Sequence, residues 1–457
     1  MKKNILLAFA LTAVLAVPAF ASVQNVKVSG NIDSLYLYRH NFDLGQEATI
    51  DEDQSEFITQ TFLRVDADLT DNVSTTVRLI NERHWQNTND DSSSDVDLNL
   101  AFVTLREMLY SPLTVIVGRQ DFRYGNSFIM DSTGTNNSAP SDSGLSSTAG
   151  DLTKQKALDA IRIVLDYNPL TIEAFYSAID PTTTGLTTID DSINLWGINT
   201  TYKLGDQMDS LVEAYLFDKK DKSSIAVNQK VDHIKVVGLR GSTNPIEGLN
   251  LQAEYAFQTG TKAVFSGSTI NQTRESHAMQ GIVNYQLPVL KDYNPTAQYT
   301  FTKVYGNKNG LSNDTTHDNY TGWDPFFESQ NGGTIFNGLF DLTNLVIHSL
   351  SLQAQPVEDI TTKVSLHSLW LQNDYKTGVS TASDLINRPD TGALRSSFPI
   401  EEDESWLGKE LDVDLTYDYT EDVQIGTSVG AFFPGSVFTQ ETDNVAKQVL
   451  VNLNVAF

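Results

Sequence analysis

The sequence predicts an all-β fold: a transmembrane, antiparallel, up-and-down β-barrel of eighteen strands, with short periplasmic turns and long extracellular loops. Three observations carry that expectation. The chain opens on an export leader. Its strand-like segments are longer than those of an ordinary soluble sheet. It closes on an alternating strand that stops at an aromatic residue.

The leader reads from its three regions. Met1-Lys2-Lys3 is a positive start, 5–17 is an apolar run, and Ala19-Phe20-Ala21 is an A-x-A cleavage site. The expected division is a cleaved signal peptide over 1–21 and a barrel over 22–457, with Ser22 as the first mature residue. After Ala21 no stretch of about 18 apolar residues occurs. The chain is therefore either secreted and soluble, or spans a membrane with strands. Cysteine is absent, so no disulfide framework supports an exported fold.

The closing strand is the plainest element. Val449, Val451, Leu453, Val455 and Phe457 share one face; Gln448, Asn452 and Asn454 share the other. Period two with one apolar face is a half-exposed strand. Phe457 at its end is read as the assembly signal for the barrel-assembly machinery.

Strands are expected at 26–39, 56–69, 73–86, 96–109, 113–124, 158–167, 170–179, 192–204, 208–219, 232–242, 249–261, 275–287, 295–306, 346–355, 360–373, 405–419, 423–435 and 444–457. Soluble strands average about 5–6 residues; these suit a tilted crossing of a bilayer. The connections alternate. Tight ones carry Asn, Asp, Gly and Pro, as at Thr70-Asp71-Asn72, Asn168-Pro169 and Thr420-Glu421-Asp422. Long polar ones include 40–55, 125–157, 307–345 and 374–404. Short turns on one side and long loops on the other are the arrangement of outer-membrane barrels.

The net charge of −27 excludes a basic nucleic-acid footprint and simple adhesion to anionic lipid. Aromatic residues make up 10% of the chain, enough to furnish interfacial girdles. No internal repeat of a solenoid or propeller kind is visible; the only repeat is the hairpin itself.

In a barrel the apolar face meets lipid and the polar face lines the lumen. Alternation then assigns the inner face. It holds Gln60, Arg64, Asp66 and Asp68; Arg78, Glu82 and His84; Arg162 and Asp166; Asn250, Gln252, Glu254 and Gln258; and Glu410, Asp412, Asp414, Thr416 and Asp418. Glu173, Glu213, Lys235, Lys363 and His367 complete it. These are the candidate pore-lining residues. The alternative is that each merely solvates a lumen or forms a cross-strand ion pair. Carboxylates outnumber bases on this face, which predicts a preference for cations or for polyhydroxylated neutral solutes.

Three short stretches resemble the alginate-export family of outer-membrane porins. They are Val117-Gly118-Arg119-Gln120-Asp121-Phe122-Arg123-Tyr124-Gly125, then Gly322-Trp323-Asp324-Pro325-Phe326-Phe327. The third is Leu407-Gly408-Lys409-Glu410-Leu411-Asp412 with Ala431-Phe432-Phe433-Pro434-Gly435. The resemblance implies a monomeric eighteen-strand barrel that passes a polysaccharide or oligosaccharide-like solute. A polyuronate exporter implies a strongly basic lumen, whereas the inner face here leans acidic. Arg64, Arg78, Arg119, Arg123 and Arg162 form a local basic ladder, or Arg119 and Arg123 instead organise the loop 125–157.

That loop, rich in Ser, Thr, Asn and Gly at 132–138, either constricts the pore or covers the surface. The loop 307–345 carries Trp323, Phe326, Phe327, Phe336 and Phe340, which are expected to pack inward or cap the mouth. Self-packing explains them, as does stacking on sugar rings. The acidic runs Asp51-Glu52-Asp53 and Asp90-Asp91 are solvated loops or divalent-ion bridges to lipopolysaccharide; neither fits an EF-hand. No hydrolase or metalloprotease motif occurs, so no enzyme, cofactor or metal is expected. The partners expected are outer-membrane lipid, lipopolysaccharide and a polar solute. The alternatives are a general diffusion or cation-preferring porin, and a closed structural or adhesive barrel.

Overall fold

The computed structural model describes residues 25–45, 53–85, 96–131, 149–179, 193–222, 231–263, 272–308, 318–329, 332–375, 399–439 and 443–457. The leader, the runs Asp51-Glu52 and Asp90-Asp91, and the 132–138 stretch lie outside them.

Nineteen strands form one sheet. Eighteen are long and antiparallel: β1 (Asn25–His40), β2 (Asp53–Thr70), β3 (Val73–His84), β4 (Asp97–Arg106), β5 (Leu113–Gln120), β6 (Leu158–Asp166), β7 (Leu170–Ile179), β8 (Ile193–Lys203), β9 (Leu211–Asp221), β10 (Asp232–Ile246), β11 (Leu249–Lys262), β12 (Gln272–Gln286), β13 (Thr296–Val304), β15 (Leu345–Val357), β16 (Ile360–Leu371), β17 (Trp406–Thr420), β18 (Val423–Pro434) and β19 (Ala446–Ala456). The remaining one, β14 (Asn319–Tyr320), is a two-residue segment of a long loop lying parallel to the start of β12. Each long strand pairs with its sequence neighbours, and β1 pairs with β19 from Asn31↔Ala456 to His40↔Lys447. The sheet is thus a closed eighteen-strand barrel, with no edge left to pair.

The periplasmic turns are short for local reasons. Gly248 adopts φ +77° and Gly205 φ +68°, backbone that Gly enters without a Cβ penalty. In the turn before β9, the Asp206 carboxylate accepts from the backbone N–H of Met208 and Ser210, so β9 begins at Leu211 rather than 208. At the other end, β5 stops at Gln120 and not 124, because the chain leaves the wall there and enters the lumen.

The outer wall is apolar along its length. Val77, Val237, Leu239, Leu251, Leu411, Val413, Val451 and Leu453 are exposed, as a surface meant for hydrocarbon must be. Inside, the extracellular half of the barrel holds a packed apolar core. Phe122, Tyr124, Phe128, Ile129, Met130, Trp323, Phe326, Phe327, Phe336 and Phe340 come from the loops. They meet Phe175, Leu195, Phe217, Val236 and Ala278 on the wall. The inner face is therefore not polar throughout.

Candidate functional site

Of the loop segments that fold into the barrel, three are held by charged side chains of the wall. The first covers 149–157. Arg39 on β1 donates from both terminal nitrogens to Asp151, at 3.1 and 2.6 Å. Glu82 on β3 accepts from Thr153 Oγ1 at 2.6 Å, Lys154 N at 2.7 Å and Gln60 Nε2 at 2.6 Å. Lys154 pairs with Asp33. Burial pushes the Lys156 ammonium down to about 8, against the pull of Asp131, Asp151, Glu328 and Glu82.

The second segment is 322–328. Asp324 pairs with Lys219 at 3.2 Å, and Arg274 lies 3.8 Å away. Burial works to raise its carboxyl, but Lys219, Arg274 and Lys262 outweigh that and hold it well below the usual carboxylate range. Gln258 clamps the Asp324 backbone, donating to its carbonyl at 2.7 Å and accepting from its N–H at 2.9 Å.

The third segment is 332–344, with a helical turn at Phe336–Leu339. Glu410 on β17 accepts from Ile335 N at 2.8 Å and Phe336 N at 2.6 Å. Asp412 accepts from Thr334 Oγ1 at 2.7 Å, and Gln448 on β19 donates to the Thr334 carbonyl at 2.9 Å. His367 faces Asp412 at 3.3 Å and packs edge-on against Phe336.

Several other inner-face charges are also engaged. Arg64 bonds Asp66 through two nitrogens, at 2.7 and 2.9 Å. Arg78 bonds Asn99 and lies 3.7 Å from Asp121. Arg162 pairs with Glu173, Arg240 with Glu213 at 3.1 Å, and Tyr215 donates to Glu254 at 2.7 Å. Asp414 accepts from Ser428 at 2.6 Å.

One assignment from alternation needs correction, as does the reading of Arg119 as part of a basic ladder. Lys235 is exposed on the same face as Val237 and Leu239, so it points out of the barrel and does not line the lumen. Its strand carries apolar Ile234 and Val236 on the inner face, where loop aromatics cover them, so polarity misreads the sides. Arg119 also faces outward, bonded to Asp159 at 3.1 Å, and belongs to no inner ladder.

The motif residues have local structural roles. Gly118 adopts φ +124°, where a Cβ would strike the Ala101 carbonyl. Gln120 is buried and donates to the carbonyls of Ile116, Gly118 and Ala160. Tyr124 packs on Phe175 and Phe217. A Cβ at Gly125 would press on Arg240. Asp324 and Pro325 open the second inward segment. At the third stretch, Gly408 pairs with Pro434, and Gly435 N donates to Leu407 O at 2.9 Å. Phe457 exchanges two backbone hydrogen bonds with Gly30, at 2.7 and 3.0 Å.

What remains open is a cavity of about 460 Å³ beneath the second and third segments. Its wall carries amide and hydroxyl groups, among them Gln252, Gln280, Asn284, Gln298, Thr300, Thr302 and Ser349, an apolar side with Phe336, Phe340 and Ile347, and the carboxylates of Asp131 and Glu328. Arg123 and Lys363 also line it, and neither makes an ion pair among the described residues. The sequence reading missed Arg39, Asp33, Lys219 and Arg274. In β1 the inner neighbours of Arg39 include Leu35 and Leu37, which pack near Ala149 and Leu152, so alternation there carries no polar signal.

A closed barrel with an apolar belt and a loop-narrowed polar lumen defines a class: an outer-membrane channel for polar solutes. A family model described as alginate export matches residues 26–452, and the chain belongs to that family. Solved structures from Pseudomonas aeruginosa share the fold. OccK2 (OpdF) in complex with glucuronate is 10% identical, with a TM-score of 0.55, covering 95% of this chain and 99% of that one. OpdK with vanillate is 11% identical, with the same TM-score and coverages. OccK5 (OpdH) is 13% identical, with a TM-score of 0.53, covering 96% and 99%. At such identities the likeness concerns the fold. No curated protein matches the chain by sequence.

Proposed function

We propose that this channel passes small polyhydroxylated solutes passively, and favours those that carry a carboxylate. The observation that carries the reading is the 460 Å³ cavity, where amides and hydroxyls surround Arg123 and Lys363. Amide and hydroxyl groups both donate and accept, so they exchange hydrogen bonds with sugar hydroxyls. Arg123 and Lys363 make no ion pair among the described residues, whereas Asp131 and Glu328, the carboxylates of the same wall, have partners; Asp131 accepts from Ser127 Oγ at 2.8 Å. The acidic surplus counted in the sequence favours cations, but much of it is spent in holding loops. Glu82, Asp324, Glu410 and Asp412 all serve in that way.

Two cations are a sparse match for a polyuronate chain. The proposed cargo is therefore a monomer or short oligomer, with glucuronate a suitable probe. The mechanism is diffusion along a hydrated, charge-lined path, and no residue is assigned to catalysis or to a cofactor. Residues 1–21 are proposed as the leader, Phe457 as the signal read by the assembly machinery, and the working unit as a monomer. Of the candidate pore-lining set, Glu82, Glu410 and Asp412 hold loops, and Arg64, Asp66, Arg78, Arg162, Glu173, Glu213, Glu254, Lys363 and Asp414 are proposed as the lining, with Arg123 added.

Planar-bilayer recording tests the reading. Glucuronate is expected to block ionic current more strongly than glucose, and R123Q with K363Q to abolish that difference. Equal block in the wild type would favour a general diffusion porin, and stronger passage of amines a cation-preferring one. A wild-type barrel that conducts nothing would favour a closed adhesive or structural barrel.

A further inference from the structure

The outward turn of Lys235 is one case of a wider pattern. Besides Arg119, which is paired with Asp159, six cations stand on the outer face near the extracellular ends of their strands: Arg83, Lys220, Lys235, Lys303, Lys409 and Lys447. All but the half-buried Lys303 are exposed. Each sits above apolar wall. Val77 lies below Arg83, Val237 below Lys235, Tyr299 below Lys303, Leu411 below Lys409 and Val451 below Lys447, all exposed. The six are thus at the upper border of the hydrocarbon belt, distributed around the barrel.

None of the six makes an ion pair among the described residues, although the chain as a whole carries a charge of −27. The acids at that level are largely engaged elsewhere. Asp53 is bonded by Tyr38 and His40, Asp159 by Arg119, and Asp218 by His233 at 2.8 Å; Glu275 is exposed on β12. Aromatic rings support two of the cations: Lys303 Nζ lies 5.0 Å from the Tyr305 centroid and Lys409 Nζ 5.6 Å from Phe433. Two outward hollows accompany them. One of about 480 Å³ is lined by Thr59, Asn81, Arg83 and Trp85. One of about 520 Å³ is lined by Tyr255, His277, Tyr305 and Lys308 but also by Glu275 and Asp318, holds none of the six cations, and is not part of their surface.

We propose that this belt is a docking surface for the phosphate groups of the outer-leaflet glycolipid, lipopolysaccharide. The six cations are placed where lipid headgroups meet the wall, at its extracellular border. Long basic side chains there keep their stems on apolar surface and their charges at the headgroups. A ring of unbalanced positive charge complements a phosphorylated lipid and has no use for a neutral one.

The test uses full-length protein in neutral detergent, with thermal unfolding followed as lipopolysaccharide, enzymatically dephosphorylated lipopolysaccharide, phosphatidylcholine or inorganic phosphate is added. Intact lipopolysaccharide is expected to raise the melting temperature, in a manner that salt suppresses. The other three are expected to leave it in place. The variant with R83Q, K220Q, K235Q, K303Q, K409Q and K447Q is expected to bind ~10-fold or more weakly, while its single-channel conductance matches the wild type. The charge-preserving set, with each Lys changed to Arg and R83K, is expected to respond like the wild type and guards against a folding defect. An unchanged response in the Gln set would overturn the proposal. So would an equal response to the dephosphorylated lipid, or a shift with inorganic phosphate alone, which would mark a free-anion site.

Discussion

Arg39 and Gln448 are register partners across the seam that closes the barrel, and Arg39 Nε donates to Gln448 Oε1 at 2.7 Å. The same two side chains anchor two inward segments. Arg39 continues to Asp151 in the first, and Gln448 continues to Thr334 in the third. Closure of the barrel and narrowing of its lumen therefore share one hydrogen-bonded chain.

Breaking that chain should widen the channel. R39M leaves Asp151 without its guanidinium, and removal of one partner from a buried pair costs about 3–5 kcal/mol. Unit conductance in planar bilayers is expected to rise. Q448L is expected to act in the same direction with a smaller effect. Because both act through one junction, the double variant should fall short of the sum. Additive increments would mean that the two segments are held independently.

The Glu410 carboxylate satisfies two backbone donors of the third segment. E410A leaves both N–H groups buried and unpaired, at about 1–3 kcal/mol each. E410Q keeps an acceptor oxygen and should be milder. Limited proteolysis within 332–344 is expected to follow the order E410A, then E410Q, then wild type.

Lys156 makes docking of the first segment pH-dependent. Its ammonium titrates near 8 when docked and near about 10.4 when released into water. The released state binds more protons between those values, so docking strengthens as pH rises through that window. Tryptic cleavage after Lys154 and Lys156, corrected with an unstructured peptide of the same sequence, should decline from pH 8 to 10. In K156M that decline should vanish at Lys154. Asp324 behaves oppositely. With its carboxyl held below the usual range, its hold on the second segment is complete at neutral pH and is lost only in strong acid.

Gly118 is needed for the step that carries the chain off the wall. At φ +124° and against the Ala101 carbonyl, a side chain is strained on both counts. G118V should lower the temperature of the heat-induced electrophoretic shift, by a destabilisation larger than the gain of about 1 kcal/mol that replacing Gly brings where the backbone suits the new residue. A shift at the wild-type temperature would remove Gly118 from this role.

Phe457 closes the register at Gly30, where its ring covers a position that tolerates no Cβ. Deletion of Phe457 should reduce the amount of barrel assembled in cells. Refolding of purified protein into detergent micelles should be nearly unaffected. Equal losses in both settings would assign the residue to barrel stability and not to recognition during assembly.

The architecture was legible because two of its signals are local. Alternation over more than ten residues requires a two-faced strand, and turn chemistry at Asn, Asp, Gly and Pro fixes where it reverses. The family stretches were legible too, since Gly118, Gln120 and Gly125 answer to backbone geometry within a few residues. The inner face of β17, with Glu410, Asp412 and Asp414 opposite Leu411 and Val413, follows from the same rule. The rule failed where the lumen is not wet. Ile234 and Val236 on β10, and Leu35 and Leu37 on β1, are apolar on the inside because loop residues cover them. Lys235 was accordingly given the wrong side, and Arg39 went unnoticed.

The sequence by itself determined the strands, their number, their order and the outer belt, because each depends on residues two positions apart or on a single turn. Only the tertiary structure decided which inner charges face the lumen and which hold a loop. Glu82 meets Thr153, Asp33 meets Lys154, and Asp324 meets Lys219 across long intervals of chain. Those pairings are set by where the loops come to rest inside the closed barrel, and no local period records that position. For the same reason the two cations left over, Arg123 and Lys363, could be distinguished from the rest only once every other partner had been placed.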